Sequence, residues 1–327
     1  MIENPRQLSL DLGDALLMPS ATEYHLDELV DGGLGEPWRV DDGFFRPVSR
    51  SADPRLLGFL DAMFAVELAM KNDISPEELT LQRSRLVEFY RETKDTPIIK
   101  VYGSARDVVW SPQLEDFCDE LARLSVETGL SLGNGGGSTG AMGKTTRAWE
   151  KHTSARQIQG EETAFRIVLV PLSFFEETFE VPIEGVDAVM APGSTALQLR
   201  TTLLHAVGDT VASAYFPGGL GTAEELVVDL VARQLRGLID TPHSHRVGLG
   251  STWLINPELV PGAGGFWEPM LKQLEIFVRS GAMNESDLDS IRVLNLQNPR
   301  EDAALLVESA LSCRYTDACR LPTRTGD

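Results

Sequence analysis

Apolar residues recur along this chain in two rhythms. Continuous apolar runs bounded by turn residues occur at 97–102 (PIIKVY), 165–170 (FRIVLV), 210–216 (TVASAYF) and 246–255 (RVGLGSTWLI). Such runs predict short strands buried on both faces. Shorter runs at 130–132, 186–190 and 291–296 extend the set. Between them apolar positions return at i, i+3 and i+4, which predicts helices. These cover 112–128, a segment ending near His152, a segment from Thr195, then 223–238, 266–280 and 303–311. Leu226, Val227, Leu230, Val231 and Leu235 form the stripe of the 223–238 helix. Strands alternating with helices predict an α/β protein with a doubly wound, Rossmann-like parallel sheet. Two further helices precede the sheet, at 55–71 behind Asp53-Pro54 and from Ser75-Pro76 to Thr93. Residues 1–50, rich in Gly, Pro and Asp, read as an irregular arm. The expected organisation is an N-terminal helical extension over 1–95, a Rossmann-like domain over 96–312 and a tail over 313–327.

Three glycine-containing turns follow predicted strands: 103–106 (GSAR), 133–140 (GNGGGSTG) and 217–222 (PGGLGT). In doubly wound sheets ligands bind at the carboxyl ends of the strands, near the point where strand order reverses. The three turns are therefore expected to converge on one crevice. In the last of them Gly218, Gly219 and Gly221 permit a sharp turn and close backbone approach. Thr222 stands where a helix N-cap belongs. Free N–H groups and the helix dipole then favour an anion at one spot, beside the carboxylates Glu224 and Glu225. A capped strand-to-helix turn with dipole-stabilising glutamates is the plainer alternative.

Charge narrows the partners. The 327 residues carry 29 Lys and Arg against 49 Asp and Glu, a net charge of −20. A nucleic-acid or anionic-membrane surface needs clustered cations, so both are disfavoured. No apolar run approaches membrane-spanning length, no basic start precedes an apolar run at the N-terminus, and the three cysteines do not make a disulfide framework. A soluble cytoplasmic protein is expected, with Cys118 in the core and with a bridge between Cys313 and Cys319 near the tail open to formation but disfavoured by a reducing cytosol. Gly143-Lys144-Thr145 ends like a P-loop, but Ser138 stands where that motif needs glycine. His243 and His245 lack a third ligand nearby in sequence, and Lys144 has nothing to mark it as a Schiff-base lysine. No metal and no cofactor are expected.

PGGLGTAEE at 217–225 resembles the PGGxGTxxE signature of the LONELY GUY family of phosphoribohydrolases. Val101-Tyr102-Gly103-Ser104 is similar to that family's first strand and Gly-Ser turn, and 135–143 (GGGSTGAMG) to its second glycine segment. Residues 264–271 (GGFWEPML) look like its late helix start. The resemblance covers 97–310 and implies a fold of that type. It also implies hydrolysis of the N-glycosidic bond of a nucleoside 5′-monophosphate by a homodimer or higher homo-oligomer. By the same resemblance Glu225 and Arg200 are the catalytic pair. Gly218, Gly219, Gly221 and Thr222, with Gly103, Ser104, Gly136, Gly137, Ser138 and Thr139, hold phosphate and ribose. Arg200 stands further from the glycine turn than the family spacing has it, and Thr201 replaces the following lysine. A nucleotide-binding sensor without turnover is the alternative.

Overall fold

The computed structural model describes residues 38–41, 44–47, 96–104, 106, 110–158, 166–172, 188–191, 209–238 and 249–315. The helices expected over 55–71, 75–93 and from Thr195 lie outside these residues, as does Arg200. The chain divides into two compact units, Met1–Leu57 and Gly58–Asp327. In the first, β1 (Trp38–Asp41) and β2 (Phe44–Pro47) pair antiparallel, with Asp41 opposite Phe44. These eight residues are regular strand, and the rest of the arm expected over 1–50 lies outside the described residues. Asp42-Gly43 between the strands is a hairpin signal in the sequence.

The second unit is built on a seven-stranded parallel sheet: β3 (Pro97–Tyr102), β4 (Ser131–Asn134), β5 (Arg166–Leu172), β6 (Ala188–Ala191), β7 (Asp209–Tyr215), β8 (Leu249–Ile255) and β9 (Ile291–Leu294). The spatial order is β6-β5-β4-β3-β7-β8-β9, and every pairing is parallel. The chain winds outward from β3 to β6, returns to the centre at β7, and winds outward the other way. The expected doubly wound α/β fold is therefore the observed one, with its switch point between β3 and β7.

Helix α1 (Pro112–Thr128) starts and stops where its sequence dictates. The Ser111 hydroxyl accepts from the Leu114 N–H, Pro112 occupies the first turn, and Gly129 closes the helix at φ 72°. Leu114, Phe117, Cys118, Leu121, Ala122 and Val126 form its buried stripe. They pack with Ile99, Val101, Ala212, Ala214, Trp253 and Ile255 from one side of the sheet, and with Ala303, Leu306, Val307 and Ala310 of α6 (Pro299–Tyr315). Helix α2 (Gly140–Ile158) lies beside α1, with Lys144 on Glu115 and Lys151 and His152 on Asp119. Helix α3 (Leu220–Leu238) crosses from β7 to β8 on the other side, as opposite winding of right-handed crossovers requires. Helices α4 (Glu268–Arg279) and α5 (Glu285–Asp289) complete the β8-to-β9 connection. No helix among the described residues is long and apolar enough to cross a membrane.

The cysteines divide. Cys313 is disulfide-bonded, which corrects the expectation that a bridge near the tail is disfavoured. Cys118 is free and buried, and burial pushes its thiol far above the ordinary range. A buried thiol of that kind is inert. In native buffer, alkylation followed by mass spectrometry should leave Cys118 unmodified, with labelling appearing only across the denaturant transition.

Candidate functional site

The turns after β3, β4 and β7 meet at the carboxyl edge of the sheet. Phe216 N–H donates to Tyr102 O at 2.8 Å, and Ser104 N–H donates to Pro217 O at 3.3 Å. Ala141 N–H donates to Ser104 O at 3.0 Å. Gly103 sits where the three segments press together: a Cβ there would stand 2.5 Å from Ala141 Cβ and 3.0 Å from Phe216 Cβ. Gly140, at φ +59°, lies against the same turn, and a Cβ on it would stand 1.9 Å from Ser104 O. The expected convergence is therefore a hydrogen-bonded fact. Ser104 is buried, and its Oγ accepts from Arg106 N–H at 3.0 Å, which folds the 103–106 turn back on itself.

The second turn is organised by a residue the sequence reading passed over. Asn134, fully buried at the end of β4, accepts the Gly136 N–H on Oδ1 at 2.8 Å. Its Nδ2 donates to Thr146 Oγ1 at 2.9 Å. One side chain thus joins the strand, the glycine turn and α2. Gly136 adopts φ 79°, and Gly136 and Gly137 are buried, whereas Ser138 and Thr139 are half-buried. Helix α2 begins at Gly140, not within 137–139: Thr139 is the cap, its carbonyl accepting from Gly143 N–H at 3.1 Å. Arg147 Nη1 donates to Ser138 O at 2.6 Å from the next turn of α2. Asn134→Ala leaves a buried N–H and a hydroxyl without this partner. It should lower unfolding free energy by about 1–3 kcal/mol, read by urea denaturation.

In the third turn, α3 starts three residues before the expected position. Gly219, not Thr222, is the N-cap, and its carbonyl accepts from Ala223 N–H at 3.1 Å. Thr222 lies buried in the first helical turn, folded back so that a Cβ on Gly218 would stand 2.1 Å from its Oγ1. Glycine at 219 and 221 lets the first turn form with no side chain over its N–H groups. Both positions are exposed, and a Cβ at either would meet nothing within 4 Å. The open glycines leave the positive end of α3 accessible, which is the arrangement an anion needs.

Glu225, one turn further along, is buried at 7% exposure, and Glu224 is half-buried. The helix registers on the sheet through Tyr215, whose hydroxyl donates to Glu225 O at 3.5 Å. Tyr215 stacks on Tyr102 at 4.6 Å between ring centroids. Trp267, also buried, donates from Nε1 to Tyr215 O at 3.1 Å, and its N–H donates to Asn256 Oδ1 at 2.6 Å. Asn256 Nδ2 in turn donates to Asn295 Oδ1 at 2.8 Å. The segment at 264–271 thus braces the end of β7, where the glycine turn leaves the sheet. Asn256 and Asn134 were not legible as site residues, because an isolated asparagine after a strand reads as a turn residue.

Lys144 and Thr145 have structural occupations. Lys144 Nζ lies 2.9 Å from Glu115 Oε1 and 5.2 Å from the Trp110 ring centroid, and Thr145 Oγ1 donates to Ala141 O. Neither belongs to a P-loop. Among the described residues no three His, Cys, Asp or Glu side chains stand together as metal ligands. Arg200, His205, His243 and His245 lie outside the described residues.

No protein-family model and no curated protein matches the chain. Among solved structures it is similar to the molybdenum cofactor binding protein from the phototrophic bacterium Rippkaea orientalis, at 17% identity and TM-score 0.37, over 66% of this chain and 98% of that one. It is also similar to TM1055, a structural-genomics target, at 18% identity and TM-score 0.38, over 65% of this chain and 99% of that one. Neither likeness bears on the chemistry of the site.

Proposed function

We propose that this chain hydrolyses the N-glycosidic bond of a nucleoside 5′-monophosphate, releasing free base and ribose 5-phosphate. One observation carries the reading: an open glycine turn at the N-terminus of α3 stands one helical turn from the buried carboxylate of Glu225. The order and spacing of the four motifs that resemble the LONELY GUY family add to it. The N–H groups of Gly219, Leu220 and Gly221 receive the 5′-phosphate, with Gly218 and Thr222 shaping the turn. The turn at Gly103 and Ser104 and the one spanning Gly136, Gly137, Ser138 and Thr139 complete the pocket for phosphate and ribose. Departure of the base leaves positive charge on the sugar, and a carboxylate held nearby stabilises that charge and orients water. The C1′–N bond breaks as the water oxygen bonds to C1′, and the water proton leaves for the departing base. Glu225 takes the carboxylate role and Arg200 the role of its catalytic partner. The reaction as written needs no metal and no cofactor.

A homodimer belongs to the same proposal, supported by Val227, Val228 and Val231, which are exposed along the outward side of α3. Sedimentation equilibrium tests it. The activity is tested by incubating the protein with matched nucleoside 5′-monophosphates and nucleosides and following base release by chromatography. Release from monophosphates alone is the expected result. Release from nucleosides at an equal rate removes the role of the glycine turn. No release, with nucleotide still raising the melting temperature, favours the non-catalytic sensor.

A further inference from the structure

The inner side of α3 is more polar than packing on a parallel sheet requires. Thr222, Glu225 and Asp229, at i, i+3 and i+7, form one buried stripe beside Leu226 and Leu230. Beneath them Lys100, Ser213 and Thr252 are register partners on β3, β7 and β8, so their side chains share one sheet face, and all three are buried. The sequence reading singled out none of Asp229, Lys100 and Thr252.

Within this set a buried hydrogen bond ties α3 to the sheet. Thr252 Oγ1 donates to Asp229 Oδ2 at 2.8 Å, and both residues are fully buried. This bond pins α3 to β8, the strand the helix leads into. One turn earlier the Tyr215 hydroxyl reaches Glu225 O from β7, the strand the helix leaves. Two bonds from two strands, to residues four apart on one helix, set the rotation of that helix about its axis. An apolar residue at 229 would bury more cheaply, because a buried carboxylate loses its hydration. Apolar contact is non-directional, however, whereas a hydrogen bond to a carboxylate is strong and directional.

We infer that Asp229 is a positioning residue: through the bond from Thr252 it sets the rotation of α3, and thereby the aim of the Glu225 carboxylate into the site. The inference rests on the reading of Glu225 as the carboxylate of a phosphoribohydrolase.

The test compares Asp229→Asn, Asp229→Leu and Thr252→Val in the full chain, each assayed well below its own melting temperature. Asp229→Leu and Thr252→Val should each lower kcat for base release about tenfold or more with KM within about threefold, as a small misplacement of a reacting group does. Asp229→Asn keeps an oxygen to accept from Thr252 and should retain most of kcat. Wild-type kcat in Asp229→Leu, with only a lowered melting temperature, overturns the inference. So does an Asp229→Asn enzyme as impaired as the leucine variant. Should Asp229→Leu fail to fold, the near-isosteric Thr252→Val decides. If the wild type releases no base from any nucleotide, the phosphoribohydrolase reading falls. The positioning role is then read by ¹³C NMR titration of the Glu225 carboxyl in wild type and Thr252→Val. A displaced midpoint supports it, and identical midpoints overturn it.

Discussion

Under the proposed function, Glu225→Ala should lower kcat for base release from a nucleoside 5′-monophosphate by about a hundred- to ten-thousand-fold, the range expected when a catalytic carboxylate is removed. KM should change little, because the proposed site holds the phosphate on backbone N–H groups at the start of α3 and not on this side chain. Glu225 is 7% exposed on a helix face packed against the sheet, so thermal melts accompany the kinetics to separate lost chemistry from lost fold. Glu225→Gln separates the two contributions of the group. It keeps size and one acceptor oxygen but removes the charge, and a loss matching that of alanine assigns the effect to the carboxylate itself and not to its bulk. Steady-state kinetics beside thermal melts read both quantities. An alanine variant with wild-type kcat ends the proposed role of Glu225.

Gly140→Ala should be strongly destabilising. The residue holds φ +59°, where an L side chain is strained by about 1–2 kcal/mol. The added Cβ would also stand 1.9 Å from Ser104 O and 2.8 Å from Arg106 O, both backbone atoms of the 103–106 turn. Neither can rotate away, so the turn itself must move, at a further cost of about 1–3 kcal/mol. The sum, about 3 kcal/mol, corresponds to a fall in melting temperature of roughly 10 °C. It also breaks the bond from Ala141 N–H to Ser104 O that joins two of the three turns. Gly219→Ala is the matched control. Its Cβ meets nothing within 4 Å and its residue is exposed, so the fold tolerates it. Its methyl stands at the helix start proposed to take the phosphate, so the thermal stabilisation conferred by a nucleoside monophosphate shrinks while that by free base does not. Differential scanning fluorimetry on the two variants gives both answers. Equal tolerance of alanine at 140 and 219 contradicts the close packing of the turns.

The legible parts of the fold were those in which local signals and burial agreed. Helix α1 runs over the residues its sequence predicts because Ser111-Pro112 and Gly129 mark both ends and the apolar stripe between them is unbroken. Strand β3 likewise matches its apolar run. Helix α3 begins three residues early because Gly219 and Gly221 read as breakers, yet the first turn of a helix needs none of its N–H groups bonded within the helix. Helix α6 covers Pro299–Tyr315 rather than 303–311, and Pro299 at its start was a signal available in the sequence. Helix α5 has five residues and no buried side chain, so no periodicity could announce it.

By itself the sequence determined the alternation of strand and helix, the three glycine turns after strands, and the inward stripe of α1, because these depend on spacing within a few residues; on α3 the expected stripe is only partly inward, since Val227 and Val231 are exposed and Glu225 and Asp229 are buried in their place. It also separated Glu225 from Glu224 by the motif it resembles. The tertiary structure alone decided which strands are neighbours, and therefore that the turns after β3, β4 and β7 share hydrogen bonds. It decided that Asn134, Asn256 and Trp267 serve the site and not merely their own turns. It decided as well that Asp229 meets Thr252, 23 residues away. These pairings link residues far apart along the chain. Which of them form depends on the packing of the whole sheet, and no local pattern encodes that.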